Sequence, residues 1–411
     1  MRDNQQPILP ARTGASPRPP TLLRSLSVRN LRGYASLDIE FGGGPQLIWG
    51  PNAAGKTTLL EAAVLLAHGR SHRTTTDSEL IRWGTDYLRL EGVVEPVSAA
   101  HRPEPDIETA ASPFSGEGTR LDLSLQAGGR KKVAVNGVPR RPSVLGDHLR
   151  TVLFAPEEML LVIGPPTLRR TALDALTDPH EPSYSSNQTT YGRALQQRNS
   201  LLRAIREGEA QRDQLRLWDE PFLAAGSALV DARLRLLELL AQPLAASHRE
   251  IAPAEETLTV GYVSNATAQP GETSRQALAR RLRETADKEI WNGSTLIGPH
   301  RDDLIFCLGG REMSTFASRG QQRTAILAFK LAELDLLTAL DGRPPLLLLD
   351  DVFSELDPSR RGHLVRRIAE LPQALITTTD LDDIDADLRR QAQPWRVSAG
   401  EDGATIMEGA G

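Results

Sequence analysis

The 411-residue chain has 39% hydrophobic and 25% charged residues, which is typical of a globular protein long enough to form more than one domain. No apolar run approaches the roughly 18 residues of a membrane span, and the single cysteine, Cys307, excludes an internal disulfide and a cysteine-ligated zinc site. The formal net charge of −5 excludes a globally basic surface, so contact with nucleic acid requires a local basic patch. These features favour a cytoplasmic protein.

The first part of the chain alternates between strand and helix patterns. Residues 1–21 are polar and proline-rich, which predicts a disordered lead. Alternating apolar residues then predict two strands around a turn at Gly33, followed by a short apolar strand at Leu47–Trp49 and a helix at Lys56–His68. Residues 95–119 are rich in Pro, Ser and Glu, which predicts a flexible insertion in a hairpin loop.

A phosphate-binding loop is predicted between this third strand and the helix. Residues 50–57 read GPNAAGKT, which fits the pattern G-x-x-x-x-G-K-[ST] in the strand-to-helix context that the pattern requires. Glycines allow backbone N–H groups to point at phosphate oxygens, and the helix N-terminus adds favourable partial charge. Lys56 can reach terminal phosphates and the Thr57 hydroxyl can bind Mg²⁺. The alternative is a chance match in a glycine-bearing turn.

Two carboxylates end an apolar strand far downstream, in the segment LLLLDD. A carboxylate at that position can hold Mg²⁺ in a phosphate-loop enzyme, and we assign this role to Asp350. Asp351 can orient or deprotonate the attacking water. The alternative is an ordinary pair of helix-capping residues after a core strand.

A second helix end, at Ser318 and Gly320, begins an amphipathic helix over Arg319–Leu340. Serine is a good N-cap and glycine permits close approach, so this end can grip the phosphates of a nucleotide held by a partner chain. A plain capped helix explains these residues equally well.

The remaining patterns define the fold class and the domains. Residues from about 167 to 285 show apolar residues at helical spacing and predict a block of several long helices without a long coiled coil. The C-terminal part returns to buried strands between helices, which indicates a parallel sheet covered on both faces. We expect an α/β head over residues 22–165 and 295–411, with a helical lobe over 166–294.

Together these motifs resemble an ABC-type ATPase head of the Rad50 and SMC branch. Within that branch the chain resembles the RecF family, because the following segments occur in the same order: GRSHRT, LFAPEEMLLVIGPPTLRRTALD, QQRNSLLR, GPHRDDL, RGQQRT, LLLLDDVFSELD and ITTTD. The resemblance implies a mixed sheet in the head, a weak, DNA-stimulated ATPase, an ATP-dependent homodimer, and a role with RecO and RecR in loading RecA at DNA gaps.

The resemblance also assigns roles to individual residues. It places ATP on Gly50, Pro51, Asn52, Ala53, Ala54, Gly55, Lys56, Thr57 and Thr58. It places the partner chain's ATP against the signature residues Ser318, Arg319, Gly320, Gln321 and Gln322. Asp357 falls in the loop that crosses the dimer, and Glu157 and Glu158 in the segment that senses the γ-phosphate. Asp351 stands where many ABC ATPases have a catalytic Glu, and the TTTD segment lacks their switch His; both imply slow hydrolysis.

DNA contact is predicted from a basic hairpin that carries Arg130, Lys131, Lys132, Arg140 and Arg141. The alternative is a solvated surface hairpin. Arg70, His72 and Arg73 form a second basic candidate, and we interpret His300 as a structural histidine.

Three other functions are compatible with the motifs: a Rad50-like ATPase that works with a nuclease, an ABC transporter motor, and a scaffold that binds nucleotide without hydrolysis. The GPHRDDL segment and the large helical block disfavour the transporter motor.

Overall fold

The computed structural model describes residues 19–97, 118–400 and 403–408. The predicted lead (1–21) and the predicted insertion (95–119) therefore lie largely outside the described residues. The strands are β1 (Thr21–Leu31), β2 (Tyr34–Glu40), β3 (Gly44–Trp49), β4 (Tyr87–Pro96), β5 (Thr119–Gln126), β6 (Lys132–Val135), β7 (Val138–Arg140), β8 (Thr151–Phe154), β9 (Leu258–Val263), β10 (Asp303–Leu308), β11 (Arg311–Glu312), β12 (Leu346–Asp350), β13 (Gln373–Thr378), β14 (Gln393–Gly400) and β15 (Gly403–Glu408).

The helices are α1 (Lys56–His68), α2 (Leu145–His148), α3 (Leu160–Ile163), α4 (Pro166–Thr177), α5 (Tyr184–Arg206), α6 (Arg216–Ile251), α7 (Ser274–Asn292), α8 (Met313–Phe316), α9 (Arg319–Asp341), α10 (Pro358–Ala369) and α11 (Ala386–Gln391). Within the described ranges, none of them is both long and apolar enough to cross a membrane.

The chain divides into two compact units. The first contains the described residues up to Glu158 and those from Lys330 onward, and the second runs from Met159 to Phe329. Residues 295–329, which the sequence analysis grouped with the head, lie in the second unit.

Two sheets build the first unit. One is antiparallel, with the strand order β2-β1-β4-β5-β6-β7. The other has the order β15-β14-β3-β13-β12-β8, in which β15 alone runs antiparallel to its neighbour. The mixed sheet expected for an ABC-type α/β head is thus confirmed.

Helix α1 lies between these sheets and contacts strands of both. Eleven of its side chains, among them Leu59, Leu60 and Val64, are buried, so that the helix is apolar around most of its circumference. The core of the first unit joins α1 to the inner face of each sheet, which fixes the start of the helix against the ends of the strands.

The second unit is mainly helical. Helices α5, α6 and α7 pack against one another around a core that includes Tyr184, Phe222 and Leu278. A three-stranded antiparallel sheet, β11-β10-β9, accompanies them. A buried guanidinium, that of Arg198, bridges helices by binding Asp219 on α6 at 2.8 Å and Glu289 on α7 at 3.2 Å.

Candidate nucleotide site and its surroundings

The loop between β3 and α1 has the backbone that a phosphate cradle requires. Gly50, Ala53 and Gly55 all have positive φ angles, of 155°, 63° and 111°. A Cβ atom at Gly50 would lie 2.1 Å from the carbonyl oxygen of Val397, so only glycine fits there. The Tyr34 hydroxyl donates to the Gly55 carbonyl at 3.2 Å and thereby ties the loop to the antiparallel sheet.

Lys56 is the first residue of α1, and its side chain is buried. Its ammonium group donates to the carbonyl oxygens of Gly50 at 2.8 Å and Pro51 at 2.9 Å. Burial lowers the pKa of Lys56, and the carboxylates of Asp351 and Asp350 oppose that change. The lysine is therefore held over the loop, with two acidic groups close by.

Thr57 contacts Asp350 although 293 positions separate them in the sequence. The Thr57 hydroxyl donates to Asp350 Oδ2 at 2.8 Å, and the Thr377 hydroxyl donates to Asp350 Oδ1 at 2.7 Å. The contact arises because β3, β13 and β12 are neighbouring parallel strands, whose carboxyl ends meet at one edge of the sheet. Thus Lys56, Thr57 and Asp350 come together in one place.

Asp351 is held in an unusual conformation next to this group. Its φ angle is 52°, and its N–H donates to the Thr377 hydroxyl at 3.0 Å. Its Oδ1 atom is buried and has no hydrogen-bond partner among the described residues. Burial raises the pKa of Asp351, and the attraction of Lys56 only partly offsets this effect. A carboxylate with a raised pKa is suited to accepting a proton.

Glu157 and Glu158 follow β8, whose end adjoins the end of β12. Glu157 is exposed, whereas Glu158 forms an ion pair with Lys330 on α9 at 2.8 Å. Lys330 is buried and also binds Glu333 at 3.0 Å. Burial alone would lower the pKa of Lys330, but the two carboxylates raise it above its ordinary value. Glu158 thus fastens the segment after β8 to α9.

The signature residues form the exposed N-terminal end of α9. Ser318 caps the helix: its hydroxyl accepts from the Gln321 N–H at 3.2 Å, and its own N–H donates to Gln321 Oε1 at 3.0 Å. The Gln322 amide donates to the Ala317 carbonyl at 2.9 Å. Ser318, Arg319 and Gly320 are all exposed, so the helix end is open to a binding partner.

Asp357 is the N-cap residue of α10. Its carboxylate accepts from the N–H groups of Ser359 at 3.0 Å and Arg360 at 3.1 Å. The side chain is 43% exposed, so it can be reached while it caps the helix.

The basic hairpin is formed by β6 and β7, which turn at Asn136 and Gly137 with φ angles of 51° and 76°. Lys131 does not belong to its exposed charges, because its ammonium group binds Asp77 at 2.8 Å and the Gly69 carbonyl at 2.8 Å. The exposed cations that make no hydrogen bond or ion pair within the described ranges are Arg130, Lys132, Arg140 and Arg141.

Glu61 is a buried acid on α1 that the sequence analysis did not identify. Its carboxylate binds Arg32 at 2.8 Å, the Ser71 hydroxyl, and Arg73 at 3.5 Å. Arg73, a member of the second basic candidate, is therefore neutralised by a buried partner. The sequence does contain a signal for a buried acid here, because Glu61 stands within the otherwise apolar run of residues 59–67.

Two histidines near predicted sites lie in surroundings that disfavour the charged form of the ring. Burial lowers the pKa of His72, and neither ring nitrogen has a partner among the described residues. Burial lowers the pKa of His300 in the second unit to about 4, and its Nδ1 lies 2.6 Å from the Tyr191 hydroxyl. This environment supports the interpretation of His300 as a structural histidine.

Comparisons with known proteins identify the same group of proteins as the motifs. The family described as "RecF/RecN/SMC N terminal domain" matches residues 22–391. The DNA replication and repair protein RecF of Geobacillus thermodenitrificans is 36% identical over 383 residues, which cover 92% of this chain and 98% of the relative. The RecF protein of Symbiobacterium thermophilum is 38% identical over 371 residues, which cover 88% and 92%.

Solved structures agree with these sequence relatives. The structure of the "recombination mediator protein RecF-ATP in RecFOR pathway" is 29% identical, has a TM-score of 0.82, and is matched over 96% of this chain and 100% of its own. An Smc head from Pyrococcus furiosus shares the fold at 15% identity and a TM-score of 0.52, over 94% of this chain and 96% of its own. The resemblance to the RecF family that the motifs predicted is confirmed. The comparisons favour this family over the two alternatives of a transporter motor and a Rad50-like ATPase that works with a nuclease.

Proposed function

Because the chain belongs to the RecF family of DNA replication and repair proteins, we propose that it is an ATP-switched DNA-binding ATPase of recombinational repair. The observation that carries the proposal is the contact between Thr57 and Asp350, which joins the phosphate loop to the acidic strand. An ordinary glycine-bearing turn and an ordinary helix-capping pair have no reason to meet. A phosphate-loop ATPase requires them to do so.

In the proposed site, the loop N–H groups from Gly50 to Thr58 and the Lys56 ammonium bind the phosphates of ATP. Thr57 and Asp350 present the hard oxygen donors that suit Mg²⁺, and they would hold it there. Within the described ranges no group of three or more His, Cys, Asp or Glu can hold a metal ion, so the remaining ligands would come from phosphate and water. Mg²⁺, when bound, neutralises negative charge on the phosphates.

Asp351 is proposed to accept the proton of the attacking water. Its raised pKa favours that step, but its side chain is one methylene shorter than the Glu of many ABC ATPases. We therefore propose slow hydrolysis, stimulated by DNA, that serves as a switch. Glu157, which is exposed beside the same sheet edge, is proposed to sense the γ-phosphate together with Glu158.

The second half of each site is proposed to come from another copy of the chain. The exposed end of α9, with Ser318, Arg319, Gly320, Gln321 and Gln322, would meet the partner's ATP, and Asp357 would lie in the loop across the dimer. ATP binding would close the homodimer on DNA, and hydrolysis would release it.

We propose gapped DNA, with single- and double-stranded parts, as the nucleic-acid partner, and RecO and RecR as protein partners in the loading of RecA. Similarity to a solved recombination mediator of the RecFOR pathway supports this choice. The exposed cations of the β6–β7 hairpin support the contact with phosphates. The proposed location is the cytoplasm.

Sedimentation velocity with ATP or ADP, with and without gapped DNA, tests this proposal. The wild-type chain should dimerise with ATP and not with ADP. Lys56→Ala should weaken ATP binding about tenfold or more, because it removes a charged hydrogen-bond donor.

Ser318→Arg should abolish the ATP-dependent dimer and leave the monomer's ATP affinity unchanged, whereas Ser185→Arg, at an exposed serine of α5, should dimerise normally. Normal dimers of Ser318→Arg would refute the composite site, and unchanged turnover of Lys56→Ala would refute the phosphate-loop assignment.

A further inference from the structure

Trp83 is 99% exposed on the first unit, which is unusual for the largest apolar side chain. It lies in a turn closed by the Thr85 N–H, which donates to the Arg82 carbonyl at 3.1 Å. Gly84 follows with a φ angle of 83°, the conformation that glycine favours at the third position of such a turn. The backbone therefore holds the indole at the tip of the turn, away from the core.

The segment that contains Trp83 is attached at both ends to the connection between β5 and β6. Asp77 binds Lys131 at 2.8 Å, and the Asp86 carbonyl accepts from the Ala127 N–H at 2.8 Å. Residues 127–131 form that connection and include Arg130. Trp83 consequently lies at the end of the antiparallel sheet where β4 begins, and Arg130 belongs to the connection between β5 and β6 at the same end.

An exposed tyrosine and a lysine extend this end of the sheet. Tyr87, which is 49% exposed, begins β4 and pairs with the last residue of β5, Gln126. Lys132 pairs with Ser124, which in turn pairs with Arg89, so that Lys132, Arg89 and Tyr87 share the outer face. We call Trp83, Tyr87, Arg130 and Lys132 the Trp83 patch.

The charges of the patch are available to a ligand. Arg89 is neutralised by Glu91, but Arg130 and Lys132 are exposed and make no ion pair in the part of the chain that the structure describes. Exposed aromatic rings beside unpaired cations are the two elements of a surface that binds single-stranded nucleic acid: the rings stack on bases, and the cations bind phosphates.

We propose that the Trp83 patch binds the single-stranded part of a gapped DNA, with an unpaired base stacked on Trp83 and phosphates on Arg130 and Lys132. This inference rests on the proposed function, that the chain binds DNA. It goes beyond it by assigning an unpaired base to one side chain. In a continuous duplex both faces of each internal base are covered by its neighbours, so Trp83 has nothing to stack on there. The patch would therefore distinguish a gap from intact duplex.

Fluorescence anisotropy with two labelled DNAs of equal length, a continuous duplex and a duplex with a single-stranded gap, tests the proposal. Trp83→Ala should weaken binding to the gapped DNA about tenfold, the effect of losing one stacked base. It should leave binding to the continuous duplex unchanged. Trp83→Tyr, which keeps an aromatic face, should restore most of the affinity for the gap.

Trp291→Ala is the matched control, because Trp291 is 79% exposed in the second unit and belongs to no proposed site. It should leave both affinities unchanged. The double change of Arg130 and Lys132 to Ala should weaken binding to both DNAs. It should also make the slope of log K against log salt concentration less steep by about 1 to 2. Far-UV circular dichroism and thermal unfolding should be unaltered in all the variants.

The outcomes separate this inference from the proposed function. If the wild-type chain binds neither DNA, the proposed function fails. If it binds both and Trp83→Ala changes neither affinity, as expected for a protein-docking tryptophan, the inference alone fails. An equal loss on both DNAs would also overturn it, because the contact would then not depend on an unpaired base.

Discussion

Replacing Glu61 by Gln should destabilise the first unit strongly, because this carboxylate is fully buried and serves two guanidinium groups. Glutamine keeps the shape and removes the charge that Arg32 and Arg73 require. Removing one partner of a buried ion pair costs about 3–5 kcal/mol. Since the two arginine side chains are 23% and 33% exposed, water offsets part of that penalty, and we expect about 3 kcal/mol.

Urea unfolding followed by circular dichroism measures this loss, with Glu40→Gln, at an exposed position of β2, as the matched control. Burial alone would raise the pKa of Glu61, but its hydrogen bonds with Arg32 and Ser71 lower it overall. A lowered carboxyl pKa contributes stability that is complete above the unfolded value and is lost as the pH falls through the folded value. The difference between wild type and Glu61→Gln should therefore shrink below about pH 4.

Equal stabilities of Glu61→Gln and Glu40→Gln would refute this account of the cluster. So would a stability difference that stays constant between neutral and strongly acidic pH, because the effect would then not come from the charge.

Two further changes test the same architecture. Glu158→Gln should lower the free energy of unfolding by about 1–2 kcal/mol, because it weakens the ion pair with buried Lys330. A double-mutant cycle with Lys330→Met should show that the two changes are coupled, and purely additive effects would contradict the pairing. Gly50→Ala should lower the melting temperature and abolish ATP binding, because its Cβ would lie 2.1 Å from a carbonyl oxygen, whereas Gly33→Ala, with open space around its Cβ, should do neither.

Much of the nucleotide site was predictable because its signals are local. A glycine loop between a strand and a helix can be read from a few neighbouring residues, and so can an apolar strand that ends in two acids. The meeting of Thr57 with Asp350 follows once both strands are placed in one parallel sheet, since parallel strands end at the same edge.

The partners of buried charges were not predictable in this way. Lys131 and Lys132 look alike in the sequence, yet Lys131 ends the connection between β5 and β6 and binds Asp77, whereas Lys132 begins β6 and is exposed. Likewise, nothing near Glu61 in the sequence indicates that Arg32 reaches it from the β1–β2 turn. These contacts depend on which distant segments pack together, and a single sequence does not specify that directly.

The position of β3 between β13 and β14 affects how the protein can fold during its synthesis on the ribosome. The Trp395 indole N–H on β14 donates to Gln46 Oε1 on β3, which lies 349 positions earlier in the sequence. The strand that leads into the nucleotide loop is therefore complete in its sheet only after nearly the whole chain has been synthesised. At typical rates of synthesis that delay is about 20 to 70 s. Until β13 is made this apolar strand has no partner on either side, and we expect nascent chains that end before residue 373 to bind chaperones and to be cleaved readily by added protease. Protease resistance of the first unit in such chains would contradict this order of folding.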